Sequence, residues 1–227
     1  AKGLGMAIVG GHCEVTPGIT NPIVVGCTMG ITEKGNYVTA AGAKPGDKLI
    51  LTKSAGIEGT AILASDREKL LKETISAATL QKAKGFYSQI SVVKDAVTAF
   101  KTGGVHAMHD PTEGGLAGGI HEVADASNLG VKIFEEKIRI RPETIEICEF
   151  FQIDPLQLIA SGSLLIAVKQ DLADKIIEVL EKNQITAAII GEFLSYPEKR
   201  FIIRKDGSSE NLVRPSSDHL WRALETR

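Results

Sequence analysis

Residues 108–125 read MHDPTEGGLAGGIHEVAD. An apolar run leads into Asp110-Pro111. Two glycine pairs follow, and Leu116, Ile120, Val123 and Ala124 then fall at helical spacing. The preceding GGVHAMHD predicts a strand ending at Asp110, so the stretch is a strand-to-helix junction. Thr112 is the expected N-cap, and Asn128 and Gly130 are the expected stop signals. Paired glycines at such a junction let backbone N–H groups approach a ligand, and the helix N-terminus adds a partial positive charge that favours phosphate. A carboxylate at the same place repels anions unless Mg²⁺ lies between them. Asp110 with the turn at 112–115 therefore reads as a metal–phosphate site. The same residues also fit a capped helix whose glycines relieve tight packing.

Working outward, KPGDKLIL is a Pro-Gly turn feeding a strand at 48–52, and AGIEGTAILA opens a short helix. Residues 66–102 are expected to be mostly helical. VKIFEEKIRI reads as extended, RPETIEICEFFQI as a helix with Pro142 near its start, and GSLLIAV as a buried strand. DLADKIIEVLEKN has amphipathic helical spacing, ITAAIIGEF reads as a strand, and KRFIIRKDGSSENLV as a hairpin turning at Asp206-Gly207. Near the start, MAIVGGHCEV and NPIVVGCTMGI are two further β-branched runs, read as strands. Strands and helices alternate between β-rich ends, which favours an α+β or α/β fold with a mixed sheet. The Gly-, Ala-, Lys- and Pro-rich stretch at 42–46 is the best boundary. The expected division is 1–43, 44–200 and a terminal hairpin and tail at 201–227.

The chain has 227 residues, 43% hydrophobic and 24% charged, with a formal net charge of −2. These are ordinary values for a globular chain with a core. They offer no basic surplus for nucleic acid, and 5% aromatics argues against base-stacking platforms. No apolar run approaches the roughly 18 residues that a membrane helix needs. Cys13, Cys27 and Cys148 show no paired spacing, so a reducing cytoplasm is expected. The opening AKGLGMAIVGG lacks an initiator Met and begins mid-pattern, so upstream sequence is expected.

Three other constellations fall short of known motifs. His121-Glu122 begins a zinc-protease-like helix, but its fifth residue is Asp125 where a second His is required. His12-Cys13-Glu14 matches half of a zinc deaminase signature whose Pro-Cys-x-x-Cys half is absent. KSAGIEGT at 53–60 lacks the Gly-Lys-Ser/Thr ending of a P-loop. In the Gly10-Gly11 turn, His12 and Glu14 would point the same way on an extended backbone and could orient a phosphate or hold a metal; a purely structural turn is the alternative.

VHAMHDPTEGGLAGGIHEVADAS, KPGDKLIL before AGIEGTAIL, and GSLLIAV before a long helix occur here in one order. Together they resemble the phosphoribosyl-aminoimidazole synthetase (PurM-like) superfamily, and within it the hydrogenase expression/formation protein HypE and its archaeal AIR synthase-related relatives. The resemblance covers about residues 3–195. It implies a PurM-like two-domain α+β subunit: part of a β-rich, ATP-binding N-terminal domain, then an α/β sandwich with a mixed sheet. It implies a homodimer, ATP with Mg²⁺, and phosphorylation of an amide- or carboxylate-type oxygen of a small-molecule or carrier-bound acceptor. A hydrogenase maturation protein is an expected partner. By the same resemblance, Asp110 would face the metal, and Gly10, Gly11, His12, Glu14, Thr112, Gly114 and Gly115 would contact the nucleotide.

Several positions depart from the family pattern. The chain has no Asp-Asp pair for Mg²⁺-nucleotide. HypE carries a C-terminal cysteine, whereas the last cysteine here is Cys148. Ala160-Ser161-Gly162 stands where HypE has Asn-Glu-Gly, with the Glu serving as a base; a serine cannot take that role unaided near neutral pH. His12-Cys13-Glu14 replaces an Asp-Thr-Lys turn. These departures leave open a non-catalytic relative that binds ATP or maturation partners.

Overall fold

The computed structural model describes residues 1–226 and divides into two units, Ala1–Tyr37 and the chain from Val38 onward. In the second unit, elements follow in the order β1 Lys48–Thr52, α1 Ile57–Asp66, α2 Glu68–Leu71, α3 Ala77–Lys84 and α4 Val93–Thr102. Then come β2 Val105–His109, α5 Gly115–Ala126, β3 Gly130–Phe134, α6 Pro142–Phe151 and β4 Leu165–Val168. The last are α7 Ala173–Lys182, β5 Ala187–Leu194, β6 Arg200–Ile203, β7 Ser209–Asn211 and α8 His219–Glu225.

The strands form one seven-stranded sheet in the order β2-β4-β1-β5-β3-β6-β7. It is mixed: β3 and β6 run parallel, and the other neighbours are antiparallel. Both faces are covered, which explains why the inner strands read as continuous apolar runs. Alternation along β1 sends Leu49 and Leu51 to the face packed with Leu116 and Ile120 of α5. It sends Ile50 to the opposite face, against Ala99 of α4 and Ile176 and Leu180 of α7. A further helical layer joins α1, α3, α6 and α8 through Leu63, Leu80, Ile147, Phe151 and Leu220.

The first unit corrects two expectations. MAIVGGHCEV and NPIVVGCTMGI form no strand, and their apolar side chains lie open to solvent. A strand needs a neighbouring edge to accept and donate its backbone hydrogen bonds, and none is paired to these runs. The unit's regular structure is a short 3₁₀ turn at Lys2–Leu4.

Candidate functional site

The Asp110 turn is held at both ends. β2 pairs with β4, with His109 opposite Leu165, and the Pro111 carbonyl accepts from the Ala160 N–H at 3.2 Å. This ties the turn to the loop carrying Ser161. Asp110, Thr112 and Glu113 are exposed. Beside them His109 Nε2 lies 2.5 Å from Glu122 Oε2.

Thr112 is not the cap of α5, contrary to expectation. The cap is Gly114, in left-handed backbone at φ 75°, and the Thr112 carbonyl accepts from the Gly115 N–H at 3.0 Å. The capping side chain is Asp218, buried just ahead of α8. Its Oδ2 accepts from the Gly114 N–H at 2.7 Å, and its Oδ1 accepts from Leu220 N–H at 2.7 Å and Ile159 N–H at 3.2 Å. A carboxylate thus already occupies the dipole-favoured end of the helix. The amides of Gly114 and Gly115 both donate within the protein, to Asp218 and to the Thr112 carbonyl. Glycine at these places has a local cause: a Cβ on Gly115 would stand 2.4 Å from the Leu158 carbonyl oxygen.

The same tail is fastened further along α5. Arg200 Nη1 donates to Asp125 Oδ1 at 2.6 Å and Arg214 Nη2 to Asp125 Oδ2 at 2.7 Å. Burial works against the Asp125 charge, but the two guanidinium hydrogen bonds outweigh it and hold the carboxyl below its usual range. His121 is buried between Leu212 and Arg200. Arg200 Nη1 can only donate, so Nδ1 accepts from it at 3.3 Å and Nε2–H donates to the Leu212 carbonyl at 3.1 Å. Burial first, then the nearby Arg214 charge, lower its pKa, leaving a packed neutral histidine. A cleft of about 250 Å³ between α5 and the tail is lined by Glu113, Gly118, His121, Glu122, Arg214 and Ser217.

Ser161 sits on a turn braced from below. Lys53, in left-handed backbone at φ 57°, sends Nζ to the carbonyls of Gly162 at 2.8 Å, Ser91 at 2.9 Å and Gln89 at 3.1 Å. Its charge is met by buried Asp95, 3.3 Å away, which also accepts from Thr52 Oγ1 at 2.8 Å. Neither Lys53 nor Asp95 stands out in the sequence, where Lys53 looks like a failed P-loop lysine. Cys148 is buried and its thiol is pushed up to about 12 by burial, with Asp154 and Glu149 adding to it, so it is no nucleophile.

In the first unit, His12 Nε2 and Glu14 Oε2 lie 3.8 Å apart, both exposed. A Cβ on Gly10 or Gly11 would meet nothing within 4 Å, so protein packing does not account for those glycines. Among the described residues no group of three or more His, Cys, Asp or Glu is arranged to hold a metal. Asp110 suits Mg²⁺ only as a single carboxylate ligand whose other partners are phosphates and water, the usual arrangement for that ion.

Residues 44–204 match the AIR synthase related protein, C-terminal domain, family. A putative hydrogenase expression/formation protein of Methanocaldococcus jannaschii is 32% identical over 82% of this chain and 53% of its own length. The carbamoyl dehydratase HypE of Rhizobium leguminosarum bv. viciae is 33% identical over 74% of this chain and 46% of its own. The chain therefore spans about half the length of these curated relatives. A crystal structure of hydrogenase maturation protein HypE in complex with ATP shares the fold, with a TM-score of 0.62 at 22% identity over 82% of this chain and 55% of that one.

Proposed function

We propose a function from one premise: the chain belongs to the AIR synthase-related family, whose C-terminal domain it contains. The proposed activity is HypE-like, with ATP phosphorylating an amide- or carboxylate-type oxygen of an acceptor and so making it a leaving group. The observation that carries this reading is Asp110, an exposed carboxylate at the end of β2, with the open Thr112 beside it. Asp110 would hold Mg²⁺ and Thr112 would offer its hydroxyl to a phosphate oxygen. Mg²⁺, when bound, would offset the charge of the transferred phosphoryl group. Support comes from relatives named for hydrogenase expression and carbamoyl dehydration, and from the ATP carried by a HypE of the same fold.

Gly114 and Gly115 shape this turn in the proposal without touching phosphate. Gly10, Gly11, His12 and Glu14 remain proposed nucleotide contacts on the family resemblance alone. A homodimer, a maturation partner protein and a cytoplasmic location belong to the same proposal; no helix among the described residues is long and apolar enough to cross a membrane.

A second reading is favoured by Ser161 and by Asp218. A hydroxyl stands where the resemblance places a base, and a carboxylate already sits on the helix end, as expected of a relative that binds nucleotide or a partner without turnover. Phosphate release from Mg²⁺-ATP, measured with and without amide- and carboxylate-bearing acceptors, separates the two. Acceptor-dependent release supports the enzyme, and ATP binding without release supports the second reading. Failure to bind ATP at all contradicts the enzyme and leaves only the partner-binding form of the second reading.

A further inference from the structure

We propose that Arg141, Arg139 and Lys82 form an anion-binding pocket that takes the carboxylate or phosphate group of a small molecule. The pocket, about 470 Å³, opens beside the N-terminal end of α6 and is also lined by Phe86, Gln89 and Glu143.

Arg141 is built into this cleft. Its guanidinium lies over the Phe86 ring, 4.2 Å from the centroid, and its Nη2 donates to Gln89 Oε1. The Gln89 carbonyl is held in turn by Lys53 Nζ, so the side chain that positions Arg141 rests on the buried Lys53–Asp95 brace. Arg141 Nε is buried and has no hydrogen-bond partner. A buried donor left unmatched costs free energy, and a guanidinium fork is satisfied by a pair of oxygens in its plane.

The charge balance points the same way. Among the described residues neither arginine makes an ion pair, and the acid lining the pocket, Glu143, stands 4.0 Å from Lys82 Nζ. Two arginines and a lysine therefore face one carboxylate. Burial, with the neighbouring Arg139 charge, holds Arg141 below its ordinary pKa, the direction that an arriving anion would reverse.

The site does not depend on the nucleotide reading, and the two fail separately. The test titrates the full chain with inorganic phosphate and, separately, with malonate, following the arginine Nε–Hε signals in ¹H–¹⁵N spectra. The expected result is a saturable shift at Arg141 and Arg139 with at least one probe, weakened by added chloride. Saturation by phosphate alone assigns a phosphate-bearing ligand, and by malonate alone a carboxylate-bearing one. Arg141→Gln should abolish saturation. Because that side chain packs on Phe86, the exposed Arg139→Gln and Lys82→Gln variants keep the test valid if the first misfolds; each should weaken binding by about tenfold, as expected for one lost charge-assisted contact. Shifts that never saturate with either probe, or affinities unchanged in Arg139→Gln and Lys82→Gln, overturn the proposal. If anions bind here and ATP binds nowhere, the pocket stands and the proposed function falls.

Discussion

The two units treat the same residue types in opposite ways. Ile8 and Val25 are 85% and 89% exposed, whereas Ile50 and Val168 in the sheet are fully buried. By composition the runs are alike in being rich in aliphatic residues. The difference lies in what surrounds them. β1 has β4 on one side and β5 on the other, and helices lie over both faces of the sheet. The runs at 6–15 and 21–31 have no paired edge. Apolar patterning states a demand for burial, and only a partner edge turns that demand into a strand.

Thiol chemistry offers the sharpest contrast. Cys13 and Cys27 are exposed and Cys148 is buried, with its thiol pushed up to about 12. Iodoacetamide should modify the first two within the time in which Cys148 stays intact, by orders of magnitude in rate, and denaturant should equalise all three. Mass spectrometry of timed digests reads this directly. Early modification of Cys148 in the native protein would break the contrast.

Next in size is a pair of truncations. Ile50→Ala should lower unfolding free energy by about 2–5 kcal/mol, the range for a fully buried isoleucine cut to alanine. Ile8→Ala, at an open position, should change it by less than about 0.5 kcal/mol. Chemical denaturation of both variants gives the comparison. A loss at Ile8 matching that at Ile50 would show that the first unit has a core of its own.

The smallest expected effect is a pH dependence from His121. Its folded pKa is lowered by burial and the nearby arginines, so between the folded value and the unfolded value of about 6.5 the unfolded chain binds more protons. The His121 contribution to stability is therefore complete above about 6.5 and is lost as pH falls through that window. Denaturant midpoints at stepped pH should fall on acidification less steeply in His121→Gln than in the parent chain. Equal slopes would place His121 outside this linkage.

Much of the sheet was legible because strand patterns were separated by strong punctuation: Pro45-Gly46 before β1, Pro142 at the start of α6, and Asp206-Gly207 between β6 and β7. The family was legible for the same reason, since the Asp-Pro-Thr-Glu-Gly-Gly junction keeps its residues in order. The site was legible only in part. Thr112 is a good local cap, but Asp218, 104 residues beyond Gly114, supplies the cap actually used. Its signal was present as an Asp ahead of a Leu-Trp-Arg-Ala-Leu helical spacing, yet a seven-residue helix carries little periodicity. Lys53 and Asp95 are brought together across 42 residues of chain by the fold, and no short-range pattern announces such a pair. Arg141 meets Phe86 and Gln89 only through the fold, across more than 50 residues of chain, so no local pattern in the sequence announces that cluster.

In the proposed function the carboxylate of Asp110 meets Mg²⁺-ATP. Calorimetric titration of Mg²⁺-ATP into the parent chain and into Asp110→Ala, both confirmed folded, tests this most directly. Magnesium-dependent binding that weakens by about tenfold in the variant, as for loss of one charged contact, is the predicted result. Equal affinity in the two proteins, or binding indifferent to Mg²⁺, would contradict it.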